Sequence, residues 1–256
     1  MTKKKVLAIS AVLGVAALVI SAGTLSYFTD KTEAVKNTFT VGNVDIELKE
    51  QQRNSDRTAL ETFKQDKVLM PIVGSAQGEK DQFGLPTAEN YVDKLVSVEN
   101  TGNSDAYVRL YIAFPSELDN DDPSLNIIHW NFGNYDNNGT WTSTYASKWN
   151  WLKEDGSWNY TVKNIGGINY NVYATDYVNT LAKGATTEYA IQGFYFDAGV
   201  DYKDGEYYKN GTKINFDFDE GVAVLVRAVA VQASGFNNAN EAVTAAFGAD
   251  FDPFAE

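Results

Sequence analysis

The chain has 256 residues, 21 Lys+Arg against 34 Asp+Glu, one His and no Cys, for a formal charge of −13. These counts exclude disulfides, thiolate metal sites, Cys nucleophiles and zinc sites built on two imidazoles, and they argue against nucleic acid, whose phosphates need Lys/Arg neutralisation. A hydrophobic content of 44% with 13% aromatics supplies a core, and the length suits one large all-β domain.

Residues 1–26 differ from the rest. Lys3, Lys4 and Lys5 precede an apolar run from Val6 to Ala22, interrupted by Ser10, Gly14 and Ser21. Thr24 and Ser26 then place small residues at −3 and −1 of a cut between Ser26 and Tyr27, the layout of a secretory signal peptide. An uncleaved anchor is the competing reading, but the run is short for a helix that must span with about 20 residues. Cleavage predicts a mature chain of 27–256 with no stable membrane span. It removes three lysines and no acid, leaving a charge of −16. A Cys-free exported chain fits Gram-positive secretion. Without a Leu-Pro-x-Thr-Gly motif or an apolar tail, sortase attachment is not expected.

Period-two alternation dominates the remainder of the chain. Val44, Ile46 and Leu48 alternate with Asp45, Glu47 and Lys49, a half-buried strand. Gln51 to Gln65 is a candidate for another helix, though its periodicity is poor. Leu95–Glu99, the polar turn Asn100–Asp105, and the alternating run Ala106, Val108, Leu110, Ile112, Phe114 predict strand, turn and strand, with Arg109 facing outward. Ile168, Tyr170 and Val172 mark another strand. Val222 to Val231 is apolar at both parities except Arg227, which predicts a central strand buried on both faces. Asp155-Gly156, Asp204-Gly205 and Asn210-Gly211 are tight-turn signals, with Asn138-Gly139 a fourth candidate. Asn240–Phe247 predicts a short helix capped by Asn240 or Asn238. The expected fold is all-β, a jelly-roll-like β-sandwich with one or two short helices and long insertions near 50–90 and 115–165.

Two N-terminal segments, Ala22-Gly-Thr-Leu-Ser-Tyr-Phe-Thr-Asp-Lys31 and Asn37-Thr-Phe-Thr-Val-Gly-Asn-Val-Asp-Ile-Glu-Leu48, resemble the start of the TasA/camelysin family. Val98–Arg109, Leu181-Ala-Lys-Gly-Ala-Thr-Thr187 and Val229–Phe236 followed by Glu241-Ala242 are similar to later family segments, in the same order. The resemblance implies a jelly roll exported by a SipW-type signal peptidase to the cell surface or biofilm matrix. It also implies fibres formed by donor-strand exchange, in which one subunit's N-terminal segment completes the next subunit's sheet. Carried onto this chain, the partner-binding residues are Tyr27, Phe28, Thr29, Lys31 and Val35, within a donor strand running from Tyr27 to about Thr38 and loosely held in the monomer.

The family's camelysin branch raises metalloprotease chemistry. His129, the one imidazole, lacks a second imidazole or Cys to build a zinc site with, so it is expected as an exposed residue and no catalytic residue or metal site is assigned. Asp119–Asp122 and Asp217–Glu220 cluster oxygen ligands, so calcium is the one cation considered, but neither has EF-hand spacing and both are expected as solvated loops. Trp141, Trp149, Trp151 and Trp158, with Trp130, concentrate every tryptophan in the 115–165 insertion. They are either core aromatics or the ligand-binding face of a surface adhesin for carbohydrate or protein. The leading expectation is a secreted, noncatalytic structural protein that self-associates. The adhesin is the alternative.

Overall fold

The computed structural model describes residues 36–39, 44–65, 67–120, 122, 124–131, 134–135, 141–142, 148–218 and 221–255; for 36–39, 134–135 and 141–142 it describes backbone alone. Two antiparallel sheets pack face to face. In the first, β1 (Lys36–Phe39), β2 (Val44–Arg53), β4 (Val92–Asn100), β12 (Ile191–Phe196) and β6 (Ile128–Asn131) lie in that order, and β3 (Leu60–Thr62) also pairs β2. In the second the order is β10 (Tyr160–Ile165), β11 (Ile168–Tyr177), β5 (Ala106–Pro115) and β16 (Leu225–Gln232), with β9 (Trp149–Asn150) also pairing β11. A ribbon of β13 (Val200–Lys203), β14 (Glu206–Lys209) and β15 (Thr212–Lys213) and a two-stranded piece, β7 (Asn134–Tyr135) with β8 (Trp141–Thr142), complete the strands. The all-β sandwich expected from the alternation is what forms.

The period-two positions are the reason. Val44, Ile46 and Leu48 of β2 meet Val108, Leu110 and Ile112 of β5 in one core, joined by Val96, Val98, Ile191, Ala228 and Ala230. Each fully buried Val, Leu or Ile contributes about 1.5–3 kcal/mol relative to exposure. The odd positions of β5 face the other way, yet they too are covered. Tyr111 and Ala113 join Tyr170, Val172, Val229 and Val231 beneath helix α1 (Ala239–Phe247), which contributes Ala242 and Val243. Asn238 caps α1 by accepting from the Glu241 N–H at 2.9 Å.

The strand, turn and strand expected over 95–114 form as β4, the Asn100–Asp105 turn and β5, with the turn arching between the two sheets. Three expectations are corrected. Gln51–Gln65 is no helix: Gln51–Arg53 extends β2, and the Asn54 side chain accepts from the Thr58 and Ala59 N–H groups to turn the chain into β3. β16 is buried on both faces over Ala228–Val231, but among the described residues it ends the order of its sheet and is not central; α1 supplies the second cover. Arg109 leaves the main core but is not exposed. Its side chain is 13% exposed and forms a paired contact with Asp176 at 2.6 and 2.8 Å, with Asn240 of α1 at 2.9 Å.

The turn dipeptides sit where expected. Asp204-Gly205 and Asn210-Gly211 both take positive φ at each residue and close the β13–β14 and β14–β15 hairpins. Gly156 also has positive φ, whereas Asn138-Gly139 lies outside the described residues. A further pair, Gly166-Gly167, closes β10–β11 between the paired Ile165 and Ile168, with positive φ at both glycines.

Candidate functional site

Two of the regions that carry the resemblance are the N-terminal segment and the turn Asn100-Thr-Gly102 within Val98–Arg109. Ser26, Tyr27, Phe28, Thr29, Lys31 and Val35 lie outside the described residues. The C-terminal end of the expected donor strand does not. Lys36, Asn37 and Thr38 pair with Glu47, Ile46 and Asp45 of the same chain's β2, so this end is held in its own sheet and is not loose. β1 is four residues long and ends the order of its sheet among the described residues.

Asn100 is the centre of the second region and is fully buried. Its carboxamide donates to the carbonyls of Ser104 and Leu181 at 2.9 and 3.0 Å and accepts from the Gly102 N–H at 3.0 Å. Its backbone N–H bonds the Ala185 carbonyl and its carbonyl accepts from Gly184. Thr187 reaches the same strand, its hydroxyl accepting from the Val98 N–H at 3.0 Å. The Thr101 and Gly102 N–H groups both bond the Asp45 carbonyl. Three segments far apart in sequence, 98–109, 181–187 and the start of β2, are thereby tied into one knot. The chemistry is structural: a short amide replaces ladder hydrogen bonds where the chain leaves one sheet for the other.

The tryptophans are placed by the core. Trp149 is 1% exposed and donates its indole N–H to the Glu188 carbonyl at 2.9 Å. Trp151 is also buried, and Trp130 lies between Trp151 and Trp158 with ring centroids 5.1 and 5.4 Å away. Tyr173 meets Trp158 edge-on and Phe114 stacks on Trp130. The faces of Trp149 and Trp151 are therefore engaged inside the protein. Trp141 belongs to β8, and its side chain is not described.

His129 and Asp119 also depart from expectation. His129 Nε2 stands 2.8 Å from Asp197 Oδ2, and the ring stacks on Tyr195 at 5.2 Å. Asp197 is opposed by burial, but the Gly199 N–H, His129 and Lys209 prevail and hold its carboxyl below the ordinary range. Asp119 is buried, accepting from the Tyr173 hydroxyl at 2.7 Å and the Asn171 amide at 3.0 Å, so it is not a solvated loop acid. Asp217 is exposed, and Asp219 and Glu220 lie outside the described residues. Among the described residues no three His, Asp or Glu side chains converge on a metal position.

A buried charge cluster had no clear sequence signal. Arg53 at the end of β2 is 4% exposed and bonds Asp93 through two nitrogens, Asp81 through a third contact at 2.6 Å, and the Pro86 carbonyl. Burial opposes the guanidinium charge, but these carboxylates outweigh it and raise its pKa. Burial likewise opposes the Asp81 charge, and Arg53 overcomes it, lowering the carboxyl below its ordinary value. Lys94 is buried beside Glu50 at 2.7 Å and over the Phe63 ring at 4.1 Å; burial lowers its pKa against Glu50's opposition. These pairs close the open end of the β2–β4 ladder.

No helix among the described residues is long and apolar enough to cross a membrane. Comparison of the chain with protein-family models, with curated proteins and with solved structures finds no match.

Proposed function

We propose that the chain is an exported, noncatalytic structural protein of a Gram-positive cell surface or biofilm matrix, processed by a SipW-type signal peptidase and assembling into fibres through its N-terminal segment. The observation that carries this reading is β1. It is a four-residue strand that ends the order of its sheet among the described residues, and it directly follows the segment that cleavage after Ser26 frees. A chain that already adds its own N-terminal residues to a sheet edge is built for strand addition, in which main-chain hydrogen bonds supply affinity. The motif order from Ala22 to Ala242 supports the same reading, and its Asn-x-Gly and Leu-x-x-Gly-x-Thr segments meet around Asn100.

β1 decides which truncation tests the idea. Removing residues up to Asn37 would cut into β1, so the informative chain begins at Lys36. A chain starting at Tyr27 should form filaments by electron microscopy. One starting at Lys36 should stay folded and monomeric. If the shorter chain assembles equally well, residues 27–35 are not the donor. N-terminal sequencing of the secreted protein should begin at Tyr27, and a product that keeps Lys3, Lys4 and Lys5 contradicts the processing.

A further inference from the structure

A cleft of about 500 Å³ opens at the rim of the second sheet, where β5 begins and β16 ends. That volume falls in the range of roughly 300–1,000 Å³ typical of small-ligand sites. Its lining includes Ser104, Asp105, Tyr107, Thr180, Gln232 and Ser234. The composition narrows the ligand class by elimination. Among the described residues no Lys or Arg lines the cleft, so an anion has no counter-charge there. One carboxylate is far short of the six to eight oxygens that calcium takes. An apolar ligand would take water from Thr180, Ser234 and Gln232 without replacing its hydrogen bonds. Hydroxyls, an amide, one carboxylate and a tyrosine ring together suit a ligand with many neutral hydroxyl groups and an apolar ring face.

The backbone around the cleft is fixed before any ligand arrives. The Asp105 carbonyl accepts from the Ala233 N–H at 2.9 Å, and its carboxylate accepts from the Lys183 N–H at 3.1 Å. Ala106 and Leu181 exchange two hydrogen bonds of 3.0 and 2.8 Å, and the Asn100 amide holds the same Leu181 carbonyl. The loop carrying Thr180 is therefore pinned to the strand carrying Tyr107. Tyr107 is tethered in turn by its hydroxyl to the Phe236 carbonyl at 3.4 Å. Such preorganisation lowers the ordering cost of binding.

We propose that this cleft binds a neutral saccharide segment. The proposal is independent of fibre formation and places sugar recognition away from Trp149 and Trp151, whose faces are engaged inside the protein. The test titrates the full chain with cellotetraose, maltotetraose, chitotetraose and, as the charged arm, tetragalacturonic acid, monitored by saturation-transfer NMR. At least one neutral tetrasaccharide should bind saturably. Gln232→Ala and Ser234→Ala should each weaken it about tenfold, the scale of one lost hydrogen bond, with the melting temperature unchanged. If Gln232→Ala disturbs the fold, Ser234→Ala, on an exposed loop, decides alone. Absence of neutral binding, binding of tetragalacturonic acid alone, or affinity untouched by a folded variant overturns the proposal. Filament formation by electron microscopy is a separate readout, so the two ideas fail separately.

Discussion

Asn100 and Arg53 show how differently single residues announce themselves. Asn100 lies in a polar turn that the alternating flanks already mark, although its partners at Leu181 and Ala185 are legible only in three dimensions. Asn100→Ala removes three hydrogen bonds at a buried position, to the Gly102 N–H and the Ser104 and Leu181 carbonyls. The Gly102 N–H keeps the Asp45 carbonyl and the Leu181 carbonyl keeps the Ala106 N–H, so at about 0.5–1.5 kcal/mol per lost bond the variant should lose roughly 1.5–4.5 kcal/mol in urea unfolding. Arg53 stands in a stretch whose sequence suggests a helix, and Asp81 and Asp93 lie far along the chain, so the pairing is invisible before the fold. Arg53→Ala strands two nearly buried carboxylates and should cost about 3–5 kcal/mol. Arg53→Lys should not rescue it, because an ammonium cannot reproduce the fork that reaches both acids. The pH dependence comes from the lowered Asp81 carboxyl. A depressed acid contributes stability that is present above its unfolded value, about 3.9, and lost as pH falls through the folded value. Wild-type stability should therefore drop below about pH 4, and Arg53→Ala should flatten that acid limb in pH-dependent melts.

At the scale of elements, strand existence was legible and strand neighbours were not. Alternation at 44–48, 106–114 and 168–172 reports a half-buried ribbon whatever lies beside it. It carries no information on which sheet receives the strand, so nothing in the strand–turn–strand pattern shows that the 100–105 turn arches between sheets. The double-sided burial of 228–231 is also visible in sequence, but a helix on the outer face produces the same signature as a second layer around a central strand. β5 carries both lessons. Leu110→Ala should cost about 2–5 kcal/mol through a cavity in the main core. Arg109→Ala should cost about 1.5–3 kcal/mol, because its paired contact with Asp176 and its bond to α1 are sheltered. Thermal melts that leave Arg109→Ala unshifted would mean α1 does not cover that face. Ending the chain after Gly235 removes α1 with Phe247, Phe251 and Phe254, which pack over Tyr111, Val229 and Val231. That chain should bind a hydrophobic dye strongly, whereas the full chain should not.

For the whole molecule, charge sets the terms of any self-association. The chain carries −13, and loss of residues 1–26 leaves −16, so copies repel at neutral pH. Main-chain hydrogen bonds between an incoming strand and a sheet edge are insensitive to salt, whereas repulsion between exposed carboxylates is not. Salt at about 0.15 M shortens the screening length to about 8 Å, which weakens repulsion between exposed charges farther apart than that. On the proposed reading, filaments from the chain beginning at Tyr27 should therefore grow slowly at low salt and faster as salt rises. Lowering pH towards the isoelectric point near 4.5 removes the same repulsion by protonating exposed acids. Asp81, paired with Arg53, resists protonation until lower pH, so the fold should survive through that interval. Assembly should thus quicken as pH falls from 7 towards about 5, where exposed carboxylates begin to protonate and the β2–β4 end is still clamped. Light scattering at a fixed protein concentration, with micrographs to separate filaments from amorphous aggregate, measures this directly. Filaments that dissolve on adding salt would show that complementary charges hold the subunits, and strand addition would then not be the main bond between them.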